Sequence, residues 1–450
     1  MTLAALPVML ALTLGYQIDV SRDKVPTMES LRRVVDILSA EGYGQFQLYT
    51  EHTFAYSRHR EVWKDASPMT AEEVRGLDGY CAEKGIDLVP NQNSFGHLSR
   101  WLKHPAYRPF ALHPEGNQVD PAGRVRRHPA VLNPFNPASL ELLDGLYAEL
   151  FPCFRSHYVN IGCDETFELT NRAAYVEFLG KVAGLARARG KRPMFWADIL
   201  TRRPDANIAR VPKDLIALEW GYHGSHPFDA RCGLLKKEGF EFYVCPGTAG
   251  WKSVYGRVDQ SFANISNAYF AAVRQGAKGM LLADWGDEGY SQPWIVALPP
   301  IVYAAQLVRQ GAVPSDAQVV AEIDRLLGCR VGASLLAYGR LYRRYPNTAI
   351  SAKSRIFNDI WNRRTSSDAA LRAAFAEAKG LRDLASAPEW VRTSFAVFDL
   401  FERVLFEGNG PSAAEEFRRL WLKDNRPGGL DDSVAKLFGD LEKRENFRNW

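Results

Sequence analysis

From residue 14 the chain alternates two hydrophobic periods. Short, largely β-branched or aromatic runs at 14–20, 45–49, 86–90, 158–162, 193–197, 215–220, 240–245 and 279–283 read as buried strands. Between them lie stretches with helical spacing at 28–40, 71–84, 138–150, 171–189, 227–238, 259–275 and 294–309. In the first of these, Leu31, Val34, Val35 and Leu38 fall on one face, and Gly85, Gly190 and Gly276 stand where helix C-caps belong. Eight strand-like runs alternating with helical stretches in about 300 residues predict parallel strands with helical crossovers closed into an α/β (β/α)8 TIM barrel. A doubly wound open sheet is the alternative, but no glycine-rich nucleotide fingerprint follows the first strand. A Pro/His/Arg-rich stretch at 105–137 is too polar and punctuated for a core element and reads as a loop over one face. Past Pro314 the strand signals stop and Ala/Leu/Arg/Glu-rich helical periodicity takes over. The predicted division is therefore a catalytic barrel at 1–313 and a helical C-terminal domain at 314–450. The helical domain is expected to have a structural or homodimerising role.

Composition narrows the class without changing this picture. The 450 residues are 46% hydrophobic and 24% charged, with a formal charge of +4, which suits a soluble enzyme-sized chain. Without a dense Lys/Arg block interleaved with aromatics, nucleic acid is not an expected partner. The first 14 residues are apolar but have no basic segment before them and are too short to span a bilayer, so they read as the lead-in to the first strand and no membrane partner is expected. That favours the cytoplasm and leaves the periplasm open. The six cysteines are scattered without metal-ligand spacing and read as buried free thiols. No cofactor and no metal is expected.

Catalytic residues of such barrels sit at the C-terminal ends of the strands. Those ends carry Asp19 and Arg22, Glu51 and His52, Asn91, Asn93 and His97, Asp164 and Glu165, Trp196 and Asp198, Glu219 and Trp220, Trp251 and Tyr255, and Asp284, Trp285, Asp287 and Glu288. Indole faces stack on sugar rings while carboxylates and amides hold hydroxyls, so this rim suits a pyranose. A phosphate site would ask for glycine loops and cations. Glycosidic cleavage needs two carboxylates. Neighbours such as Asp164 and Glu165 do not readily face each other across a bond. They suit a division in which the glutamate protonates the leaving oxygen and the aspartate holds a substrate group that is itself the nucleophile. Closeness to Asp164 is expected to raise the pKa of the acid. Two rival readings remain: a metal-dependent sugar isomerase or epimerase using Glu51, His52, His97, Asp164, Glu165, Asp198 and Glu219 as ligands, and a non-catalytic sugar-binding barrel.

Ile161-Gly-Cys-Asp-Glu-Thr resembles the strand-four signature, His-x-Gly-Gly-Asp-Glu, of glycoside hydrolase family 20, the β-N-acetylhexosaminidases. Asp19-Val-Ser-Arg22 is similar to the family's first-strand Asp-x-x-Arg, Asn93-Ser-Phe-Gly-His97 to its Pro-Gly-His turn, Phe195-Trp-Ala-Asp198 to its strand-five Trp segment, and Asp284-Trp-Gly-Asp287 to its strand-eight Trp-Gly-Glu. The resemblance covers residues 14–312 and implies a divergent branch without the usual N-terminal α/β domain. It implies removal of terminal β-linked N-acetylhexosamine from a 2-acetamido sugar substrate by a retaining, substrate-assisted mechanism through an oxazolinium intermediate. Asp164 would orient the acetamide and Glu165 would serve as acid, then base. Trp196, Trp220 and Trp285 would wall the sugar pocket, and Arg22 and Asp287 would grip outer hydroxyls. Glu51, His97 and Asp198 join the binding set, and Trp251 or Tyr255 would replace the family's strand-seven tyrosine. The sequence departs from the pattern at Asn160, Cys163, Phe95 and Asp287, where the family has His, Gly, Pro and Glu.

Overall fold

The computed structural model describes residues 12–21, 24–116, 118–119, 125–126, 128–287, 290–344 and 354–439. Its eight long-range strands are β1 (Thr13–Asp19), β2 (Gln45–Tyr49), β3 (Asp87–Val89), β4 (Tyr158–Asn160), β5 (Arg192–Trp196), β6 (Ile216–Trp220), β7 (Glu241–Cys245) and β8 (Gly279–Asp284). They form one parallel sheet in the order β3-β2-β1-β8-β7-β6-β5-β4. The ends of that sheet meet. Asn160 N–H donates to Pro90 O at 2.8 Å and Gln92 N–H to Asn160 O at 3.0 Å. The sheet is thereby closed into the (β/α)8 barrel that the alternation predicts.

Long crossover helices coat the barrel: α1 (Met28–Ala40), α2 (Ala71–Glu83), α3 (Pro137–Leu150), α4 (Arg172–Arg187), α5 (Phe228–Lys237), α6 (Val258–Gln275) and α7 (Leu298–Gln310). Thr70 and Glu73 form a capping box at α2, and Thr27, Asn136 and Asn171 cap α1, α3 and α4. The link from β5 to β6 is the exception. It holds only a single turn, Asp198–Thr201, and a 3-10 turn, Ala206–Arg210, flanked by Pro204 and Pro212.

The barrel has two interiors. Apolar side chains between sheet and helices make the main core, while the inside of the barrel is partly amide. Gln17, Gln45, Gln47, Asn91 and Asn160 are all buried there, and Gln47 Oε1 accepts from Asn91 Nδ2 (3.3 Å) and Asn160 Nδ2 (3.1 Å). Above these amides, at the C-terminal ends of the strands, a second cluster of rings includes Tyr49, Trp196, Trp251 and Trp285.

The 105–137 stretch is a loop for the most part. It contains a short turn, Arg108–Phe110, and a two-residue ribbon of Gln118–Val119 against Val125–Arg126. Its return limb is pinned to the loop after β3: Leu98 N–H donates to Ala130 O and Leu132 N–H to Phe95 O, each at 2.9 Å. It therefore does lie over the catalytic end.

The C-terminal region is helical: α8 (Asp316–Leu327), α9 (Gly332–Arg344), α10 (Arg355–Trp361), α11 (Ala369–Gly380), α12 (Glu389–Glu407), α13 (Pro411–Asp424) and α14 (Leu430–Phe438). All six cysteines are free and buried. Among the described residues no helix is long and apolar enough to cross a membrane. Residues 1–11, which hold most of the expected lead-in, lie outside the described set.

Candidate active site

β4 ends at Asn160 and the chain then turns sharply. Gly162, Cys163 and Glu165 all have left-handed backbones, with φ of 71°, 72° and 48°. Asn160 sets the turn, its Oδ1 accepting from Gly162 N–H at 3.0 Å while its Nδ2 is anchored on Gln47. Only glycine fits at 162, because a Cβ there would come within 1.9 Å of Asn93 Oδ1. Tyr175 of α4 donates its hydroxyl to Cys163 O at 3.0 Å, and Phe95 stacks on the Tyr175 ring. The left-handed run re-aims the chain so that Asp164 and Glu165 meet the loop that follows β3.

That loop brings His97. Its Nε2 lies 3.3 Å from Asp164 Oδ2 and 3.4 Å from Glu165 Oε2, and its Nδ1 lies 3.9 Å from Glu51 Oε1. Burial alone would lower its pKa, but the carboxylates of Asp164 and Glu165 outweigh burial and lift it to about 10. The imidazole is thus held as a cation at neutral pH. Glu51 is fixed in turn by Tyr49, whose hydroxyl donates to it at 3.0 Å and accepts from Asn93 Nδ2 at 2.6 Å. On the other side Asp198 Oδ2 accepts from Glu165 N–H at 3.3 Å. Burial, with the nearby Asp164 charge, pushes the Asp198 carboxyl up to about 8.

Aromatic rings wall the space above. Trp285 packs edge-on against Tyr49, ring centres 4.7 Å apart, and lies 6.1 Å from Trp196. Tyr222 stacks on Trp220 at 5.3 Å and meets Trp251 at 5.0 Å. The Tyr222 hydroxyl accepts from Trp285 Nε1 at 2.7 Å, which leaves its own proton free to donate elsewhere. Asp164 Oδ1, Asp198 Oδ1, Trp196 Nε1 and Trp220 Nε1 are buried without a protein partner. Buried polar atoms are rarely left so. Acceptors and donors orphaned together at one end of the barrel fit a ligand that carries both.

Residues 14–251 match the sequence profile of "Glycosyl hydrolase family 20, catalytic domain". The chain belongs to glycosyl hydrolase family 20. Its relatives are distant. A "Beta-hexosaminidase" of Akkermansia muciniphila is 26% identical over 220 residues, 40% of this chain and 43% of the relative. The "Hexosaminidase D" of Bos taurus is 23% identical over 234 residues, 47% of this chain and 64% of the relative. The chain therefore spans roughly half of the first and under two thirds of the second. Among solved structures, the chitobiase of Flavobacterium johnsoniae superposes with a TM-score of 0.55 at 18% identity, covering 94% of this chain and 77% of that one. The family 20 β-N-acetylhexosaminidase of Streptomyces coelicolor gives 0.55 at 16% identity, covering 70% and 69%. At these identities the likeness is one of fold.

Through Tyr49 and Tyr222 the arrangement joins Glu51, His97, Asp164, Glu165, Trp196, Asp198, Trp220, Trp251 and Trp285 in one contact network. Asp287 stands at its edge, 3.9 Å from Lys252 Nζ. Tyr255 is not part of it. Its hydroxyl donates to Phe398 O and its ring packs among Tyr338, Phe375 and Phe398, in the seam with the C-terminal helices. Lys252, Ser253 and Val254 carry it past the rim. Tyr222, which the strand-end pattern does not single out, stands in the ring cluster instead. Its signal was modest: an aromatic with a polar tip two positions beyond Trp220. Glu219 is spent within the fold on Thr201, His226 and Arg231, so it is lost from the metal-ligand set. Arg22 and Glu288 lie outside the described residues. The departures from the family pattern have local reasons: Asn160 ties down the turn, Cys163 occupies it as a buried thiol, and Phe95 packs on α4.

Proposed function

We propose that this protein is a retaining exo-β-N-acetylhexosaminidase that uses the 2-acetamido group of its substrate as the nucleophile. The observation that carries the reading is the adjacent pair Asp164–Glu165, clamped by His97, under a ring-walled basin. The Asp164 side chain is 8% exposed and keeps an unpartnered oxygen, whereas the Glu165 side chain is 28% exposed. The buried acid suits a holder of an amide N–H, and the more open one suits exchange of protons with a leaving group and then water. Names of the relatives support the same chemistry.

In the first step the acetamide carbonyl oxygen bonds to the anomeric carbon as the glycosidic C–O bond breaks. Glu165 gives its proton to the departing oxygen. Asp164 accepts from the acetamide N–H and balances the positive charge of the oxazolinium ring. The Tyr222 hydroxyl, polarised by Trp285 Nε1, donates to the acetamide oxygen and holds it in line. In the second step water attacks the anomeric carbon from the vacated face as the bond from that carbon to the acetamide oxygen breaks, Glu165 takes the water's proton, the acetamide is restored and the configuration is retained. His97 stays protonated throughout, beside the Asp164 carboxylate and a Glu165 that is an acid in the first step and a carboxylate after it. The rings of Trp196, Trp220 and Trp285 exclude water from the amide.

A panel of aryl β-glycosides with and without the 2-acetamido group, each assayed with and without chelator, tests this. The 2-acetamido sugars should be cleaved and the plain glucosides and galactosides left intact, with no effect of chelation. Equal rates on both series would rule out the substrate-assisted mechanism, and loss of activity on chelation would favour a metal enzyme.

A further inference from the structure

The turn after α13 is stitched into the catalytic end of the barrel. Arg426 N–H donates to Val25 O at 2.8 Å and Thr27 N–H to Asp424 O at 3.0 Å, which pairs Pro26 with Asn425 as a short antiparallel bridge. The Arg426 guanidinium reaches both oxygens of Glu73, at 2.8 and 3.2 Å, and Gly428 N–H donates to Ser67 Oγ at 2.9 Å. Residues 424–428 are thus wedged between the loops that follow β1 and β2, at the same end of the barrel as Asp164 and Glu165.

Lys24 lies in this seam and is only 8% exposed. Its ammonium donates to Gln292 O at 2.9 Å and Tyr290 O at 3.3 Å, and it sits 4.6 Å from the Tyr290 ring centre and 4.9 Å from that of Trp421. Burial lowers its pKa to about 7 against the pull of Asp424 and Asp284. A cation this deep is costly unless its acceptors need it. Two backbone carbonyls and two ring faces are what hold it here. The segment it grips leads straight back to the sugar site. The Tyr290 ring covers Gly286 so closely that a Cβ at 286 would fall 1.7 Å from it. Gln292 Nε2 donates to Trp285 O at 3.1 Å, and Gly286 N–H to Asp19 Oδ2 at 3.1 Å.

We propose that Lys24 and Trp421 are positioning residues for the segment Trp285–Asp287, so that the helical C-terminal region helps to set substrate affinity. The affinity half of this inference rests on the glycosidase reading above; the positioning half does not. Lys24→Met removes both hydrogen bonds to the carbonyls of Tyr290 and Gln292, and Trp421→Ala removes the ring beneath the cation. Arg330→Ala, which breaks only an exposed ion pair with Asp383, is the control.

Hydrogen–deuterium exchange of the free protein reads positioning directly. Peptides spanning 284–293 should exchange faster in both seam variants than in the wild type and the control; unchanged exchange there overturns the proposal. Steady-state kinetics on an aryl 2-acetamido glycoside reads affinity. KM should rise about tenfold, as expected for the loss of one or two hydrogen bonds, while kcat stays within about threefold. An unchanged KM, or a fall in kcat alone, overturns the affinity half. If the wild type cleaves no glycoside, the functional reading fails and the exchange result still decides the positioning. Should Trp421→Ala melt below the assay temperature, Trp421→Phe serves instead, with a smaller change of the same sign.

Discussion

Neighbouring carboxylates can hold different offices only if their surroundings differ, and here they do. Asp164 is enclosed and keeps an oxygen free for an amide, while Glu165 has a path to solvent. Glu165→Gln should lower turnover about 10²- to 10⁴-fold on alkyl or sugar leaving groups. The loss should be far smaller on a dinitrophenyl glycoside, whose leaving oxygen needs no proton; a series of leaving groups checks it. Tyr222→Phe should cost about 10²-fold in kcat on 2-acetamido substrates, the scale of one lost donor to a developing charge. The acid pair, His97 and the tryptophans were legible because their types have few uses together at strand ends. The sequence around Tyr255 does not reveal the ring surface of Tyr338, Phe375 and Phe398, distant in sequence, that draws it out of the site. His97 supplies a pH test. Its pKa is raised in the folded state, so its ion pairs stabilise the fold fully below about pH 6.5 and progressively less as pH rises toward 10. The gap in melting temperature between wild type and His97→Gln should therefore be widest near pH 6 and nearly closed at pH 10.

Strand and helix periods describe an element's interior well and its exit poorly. The eight strands lie where apolar runs predicted them, yet the working part of β4 begins only after its last pairing residue. There Gly162 and Cys163 take left-handed backbones, held by the Asn160 side chain and packed so close to Asn93, from another loop, that only glycine fits at 162. The same limit explains the crossover from β5 to β6, where prolines leave only short turns in place of a helix. Gly162→Ala would need both a left-handed backbone and a Cβ only 1.9 Å from Asn93 Oδ1. It should destabilise the protein by about 2–3 kcal/mol or more and misplace Asp164 and Glu165, so that denaturant titration and turnover fall together. Cys163→Gly should behave differently. It relieves a left-handed non-glycine residue worth about 1 kcal/mol but gives up a buried thiol of similar value, and folding and turnover should stay close to wild type.

At the scale of the whole molecule the helical C-terminal region is clamped to the barrel at both ends of its strands. At the catalytic end the clamp is the 424–428 turn. At the opposite end it is Glu41, which follows α1 and has no exposed side-chain surface. Arg309 of α7 and Arg325 of α8 approach it at 3.5 and 3.7 Å, and Arg325 also pairs with Glu322 at 2.6 Å. Burial, reinforced by the Glu322 carboxylate, pushes the Glu41 carboxyl up to about 8 despite both arginines. Between the ordinary glutamate range and pH 8 the folded protein therefore binds a proton that the unfolded chain has released, and stability falls as pH rises through that window. A glutamine at 41 keeps the shape and a donor toward Glu322 while removing the charge. Glu41→Gln should match the wild type near pH 5 and exceed it at pH 8 by about 1–2 kcal/mol, allowing for screening of the exposed arginines. Chemical denaturation of both proteins at the two pH values measures the difference. A variant less stable than wild type at pH 8 would mean that the two arginines hold Glu41 ionised, and the clamp would then be an ordinary salt bridge rather than a carboxyl pair sharing a proton.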